Sequence, residues 1–83
     1  MALSWFSPPV PIREAPGLRY NVNSVEAAGE QLLRFTKRGP HWRRAVECCV
    51  AFGEQRASLQ DVRRCFRLAA KEEGVLLPDT RDY

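Results

Sequence analysis

The chain has 83 residues, 45% hydrophobic and 28% charged, with a formal net charge of +3. That length supports one domain with a small core, stable by roughly 4–12 kcal/mol, and argues against a large enclosed active-site pocket. The composition excludes wholesale disorder, and no apolar run approaches the length of a membrane span.

The first element, residues 1–9, reads as an irregular apolar arm. Pro8 and Pro9 oppose helix and suit an extended edge or an irregular arm, and Leu3, Trp5 and Phe6 are too large and apolar for a free tail. These three are the candidate protein-interface residues, expected to cover the helices or to exchange with a second copy. Residues 10–77 form the expected single α+β domain, an N-terminal β-hairpin packed on a three-helix bundle. Val10 to Ala15 alternates weakly, Pro16-Gly17 signals a turn, and Leu18, Tyr20 and Val22 share one face, so the hairpin spans about 10–23. An isolated hairpin is marginal in water, so it must dock on the helices, and its exposed edge is a second expected route to self-association.

The first helix is expected over about 24–37, capped by Asn23 or Ser24, with Val25, Ala28, Leu32 and Thr36 on its inner stripe. Gly29 costs up to ~1 kcal/mol in a helix interior and suggests a close approach there. Gly39 is expected to supply the left-handed backbone that ends this helix, and Pro40 suits the first position of the next. The second helix runs to Gly53 with Trp42, Ala45, Val46, Cys49 and Phe52 inward. Ser58 and Asp61 have capping-box character and open a third helix, about 58–73, with Leu59, Val62, Cys65, Phe66, Ala69 and Ala70 inward. Gly74 ends it, Val75-Leu76-Leu77 folds back over the core, and residues 78–83 fray.

Charge is placed unevenly. From Arg34 to Arg44 there are five Arg or Lys and no Asp or Glu. Arg34, Lys37, Arg38, Arg43 and Arg44 are therefore candidate contacts for an anion or a nucleic acid. Arg63 and Arg67, four apart on one face of the third helix, add a second band. The second and third helices can also be read as a helix-turn-helix, although Glu54 stands where an apolar residue is expected and the linker is slightly long. The alternative is a solvated face, offset by Glu30, Glu47 and Asp61.

Three cysteines, an odd number without a Cys-x-x-Cys spacing, point to a reducing compartment. The start of the chain lacks signal-peptide character, so the expected location is cytoplasmic. Cys49 and Cys65 read as small buried hydrophobes, and Cys48 is the candidate for a part-exposed thiol. Enzymatic signals are thin. His41 lies about 10 Å along its helix from Cys48, beyond hydrogen-bond reach, and the acids form no catalytic or metal-binding cluster. There are no candidate catalytic, metal or cofactor residues, and no cofactor is implied.

The order from Pro11 to Leu77 resembles a known family. It runs Gly17-Leu18-Arg19, Ser24-Val25-Glu26-Ala27-Ala28 with Leu32 and Leu33, Lys37-Arg38-Gly39-Pro40, then Ala45, Cys49, Ala51 and Gly53. Ser58, Arg63, Phe66, Ala69-Ala70 and Glu73-Gly74 follow. This pattern is similar to short alphaproteobacterial proteins, frequent in rhizobia, of the domain of unknown function 982 family. Its most specific parts are Arg38-Gly39-Pro40 and Val62 to Gly74. Members often carry Trp-Pro where this chain has Phe35-Thr36, so its first helix is expected to run on slightly. The resemblance implies an architecture and a bacterial origin, and no activity. The leading expectation is a non-catalytic protein-interaction or homodimerisation module; the alternative is nucleic-acid binding through the basic corner and third helix. No membrane partner is expected.

Overall fold

The computed structural model describes residues 5–78. In chain order it contains β1 (Trp5–Ala15), β2 (Leu18–Ser24), α1 (Val25–Arg34), α2 (Pro40–Gly53) and α3 (Leu59–Glu73). This is the expected α+β order of a hairpin followed by three helices. Among the described residues, no helix is long and apolar enough to cross a membrane.

Strand β1 starts at Trp5, so residues 5–9 take the extended alternative that their prolines allow and not the irregular arm. Irregular pairing accommodates those prolines. The β1–β2 pairing is irregular between Trp5 and Val10, which removes Pro8 and Pro9 from the regular ladder. Pro11 contributes a carbonyl, which accepts from Leu77 N–H at 3.0 Å. On that same edge Arg13 N–H donates to Val75 O at 2.8 Å, and Ile12 bridges Leu76. The returning segment thus covers one edge of β1, while β2 covers the other through Val10↔Val22, Ile12↔Tyr20 and Arg13↔Arg19. Gly17, with φ 74°, makes the turn between the strands.

Alternation sends Phe6, Val10, Ile12 and Val22 into the core. There they meet Ala28, Leu32, Phe35, Ala45, Val62, Phe66, Ala69 and Ala70. The rings of Phe35 and Phe66 stack at a centroid distance of 6.0 Å. Ser24 caps α1 by accepting from Ala27 N–H, and Ser58 and Asp61 make the full reciprocal box at α3.

Helix α1 stops at Arg34, earlier than its sequence suggested. Phe35 is extended (φ −69°, ψ 142°), which drops its ring onto Phe66. Gly39 is not left-handed: its φ is −83°, and Arg38 takes the positive φ of 38° instead. Gly53 is the last residue of α2, and Gln55 (φ 64°) makes the left-handed bend beyond it. At Gly29 nothing lies within 4 Å of an added Cβ, so no close approach explains that glycine.

Candidate functional site

The corner between α1 and α2 is built by two consecutive acids at the end of α3. Gly39 has no side chain to cap α2, so Glu72 reaches across from α3. Its carboxylate accepts from Trp42 N–H at 3.1 Å and from His41 N–H at 3.4 Å. Glu73 does the same for the linker, accepting from Thr36 N–H (3.1 and 3.0 Å to its two oxygens), the Thr36 hydroxyl (3.1 Å) and Lys37 N–H (2.9 Å). Partial burial pushes the Glu73 carboxyl up. The hydrogen bonds from Lys37 and Thr36, together with the Lys37 charge, outweigh that and hold it below its ordinary value. A Cβ on Gly39 would stand 2.6 Å from Glu72 Oε2. Close approach of an acid, and not a left-handed backbone, therefore explains this glycine.

This changes the meaning of the basic corner. The free N–H groups at the start of a helix are where a phosphate would sit. At α2 the chain's own carboxylate sits there. Several of the cations have internal partners too. Arg34 pairs with Glu14 at 3.1 Å, beside Gln31, whose amide donates to the same carboxylate oxygen. Arg38 donates to the carbonyls of Phe35 (3.0 Å) and Leu33 (2.9 Å), and its guanidinium lies 4.8 Å from the Trp42 ring centroid. It is a C-terminal cap for α1. Arg63 donates to Pro8 O at 2.7 Å, tying α3 to β1. Lys37, Arg43, Arg44 and Arg67 have exposed side chains. Glu47 stands with Arg43 and Arg44 along one shallow cleft, and Glu47 and Asp61 stand with Arg44 and Arg64 along the next. Acids thus interrupt the two cationic bands where they approach one another.

The apolar candidates divide differently. Phe6 is 5% exposed and belongs to the chain's own core, whereas Trp5, facing the other way, is 64% exposed. Leu3 lies outside the described residues. The hairpin edge, the other surface expected to self-associate, carries a second apolar feature on β2. Leu18 and Tyr20 share the inward face of Val22, yet they overhang the helices and stay 53% and 37% exposed. The second edge of β2 has no strand against it among the described residues. Period-two alternation marks the face of these residues but not how far the helices extend beneath it.

Cys65 is not a sealed core residue: it is half-buried, with its sulfur 2.6 Å from that of Cys48. Burial first, and then the hydrogen bond with Cys65, push the Cys48 thiol up to about 11; Arg44 opposes this. Burial likewise raises Cys49. Among the described residues no cluster of three or more His, Cys, Asp or Glu side chains could hold a metal ion. No protein-family model, curated protein or solved structure matches the chain.

Proposed function

We propose that the protein is a non-catalytic homodimerisation module whose contact surface is the open edge of β2. The observation that carries this reading is the exposed pair Leu18 and Tyr20, which continue the core face onto an edge with unpaired backbone groups. Such an edge is a template for another strand, and a two-fold axis makes it self-complementary. Antiparallel pairing centred on Tyr20 sets Leu18 opposite Val22 of the second copy and Arg19 opposite Asn21. No two arginines then face one another, and the sheet becomes continuous across both copies. Membership of the domain of unknown function 982 family belongs to the same reading and rests on Arg38-Gly39-Pro40 and Val62 to Gly74. Arg34, Arg38 and Arg63 act within the fold on this reading, which lowers the weight of nucleic-acid binding.

The test is light scattering on the full chain and on Leu18→Lys/Tyr20→Lys, with circular dichroism confirming the fold of the variant. Wild type is expected at the mass of a dimer and the double variant at that of a folded monomer. A wild-type monomer at high concentration, or a variant that stays dimeric, refutes the reading. Binding of an oligonucleotide by wild type that weakens steeply with salt and is lost in Arg43→Gln/Arg44→Gln would favour the nucleic-acid alternative instead.

A further inference from the structure

We propose that Cys48 and Cys65 are a thiol–disulfide exchange site, at which a low-molecular-weight disulfide oxidises them to an intramolecular bond between α2 and α3. The two residues stand on adjacent packed helices, and their sulfurs lie 2.6 Å apart. A disulfide needs about 2.05 Å, so closure takes only a small movement. Cys49 follows Cys48 on the helix and points about 100° away, which leaves Cys65 as the partner of Cys48.

The pair is reachable. Both cysteines line an open cleft of ≈ 460 Å³ between the helices, with Arg44, Arg56 and Arg64 around it. Its charges balance: Arg64 pairs with Asp61, Arg56 pairs with Glu54, and Glu47 stands with Arg44. The cleft therefore sets no charge requirement on a small disulfide.

One cysteine, as thiolate, attacks a sulfur of the reagent disulfide. The reagent's S–S bond breaks, and the leaving thiolate takes up a proton. The second cysteine, deprotonated in turn, attacks the protein sulfur of the mixed disulfide and expels the other half of the reagent. The protein loses two protons and two electrons, and one reagent disulfide becomes two thiols. The raised Cys48 thiol makes its thiolate scarce at neutral pH, so the exchange is slow there and speeds up with alkalinity. The charged groups around the pair are Arg44 and Glu47 on α2, Asp61 and Arg64 on α3, and Arg56 in the linker with its partner Glu54.

The experiment incubates the reduced full chain with oxidised glutathione between pH 7 and 9, quenches in acid, and reads intact mass and cross-linked peptides. The expected product lacks two hydrogens and links Cys48 to Cys65. Cys49 stays free to alkylate after denaturation, and the rate climbs with pH, following the thiolate fraction. Cys49→Ala is expected to close as wild type does, whereas Cys48→Ala and Cys65→Ala stop at a single glutathionyl adduct. The cationic disulfide cystamine is expected to give the same Cys48–Cys65 link. Wild type that accumulates the adduct without closing, links Cys48 to Cys49, or keeps all three thiols alkylatable overturns the proposal. Wild type and Cys49→Ala decide the pairing even where another variant fails to fold.

Discussion

Replacing Gly39 by Ala tests whether the α1–α2 corner is held by a carboxylate delivered from α3. The added Cβ would stand 2.6 Å from Glu72 Oε2, 2.8 Å from its Cδ and 3.0 Å from Oε1. Backbone cannot easily retreat at that point, because Arg38 already holds a φ of 38° and Pro40 fixes the next residue. The Glu72 carboxylate must therefore move, and the N–H groups of His41 and Trp42 lose their acceptor. Loss of an N-terminal cap costs ~1 kcal/mol, within a range of about 0.5–2. Gly39→Ala should thus cost roughly 1–2 kcal/mol, and Glu72→Ala about 1 kcal/mol. At this size, ~1 kcal/mol corresponds to a melting shift of roughly 4–8 °C. The informative member of the cycle is the double variant. Once Glu72 is gone the added methyl meets nothing charged, so Gly39→Ala should become nearly neutral in the Glu72→Ala background. Urea titrations followed by circular dichroism would give all four stabilities, with an unchanged slope as the check on two-state behaviour. Costs that simply add, within about 0.3–0.5 kcal/mol, would refute the account.

Two further outcomes follow from the same corner. Glu73 has a depressed folded value, so its stabilisation is complete above the ordinary 4.5 and is lost as pH falls through the folded value. Glu73→Gln should therefore flatten the acid limb of stability against pH, measured by thermal melts from neutrality downward; an unaltered limb would contradict the hydrogen bonds assigned to it. Trp42→Phe removes the indole N–H that donates to Leu32 O at 2.7 Å. It should cost about 1–2 kcal/mol in urea titrations, and no change in stability would show that this bond contributes nothing net.

The sequence by itself determined the elements whose signals are local. Pro16-Gly17, the Ser58–Asp61 box and Gly74 mark their boundaries because turn and cap chemistry acts within a few residues. The apolar stripes likewise placed Val62, Phe66 and Ala69 in the core. What the sequence could not decide were the contacts between distant segments. Proline content at residues 5–9 left an extended edge or an irregular arm open, and the outcome involves α3, where Gln60 and Arg63 donate to the carbonyls of Ser7 and Pro8. The run from Arg34 to Arg44 advertised an anion site, but Glu72 and Glu73 lie some thirty positions away and fill it from α3. Cys48 and Cys65 carry no spacing that announces a pair; only the packing of α2 on α3 sets their sulfurs together. Periodicity says which way a side chain faces, whereas what it faces depends on how the helices and the hairpin come to rest against one another.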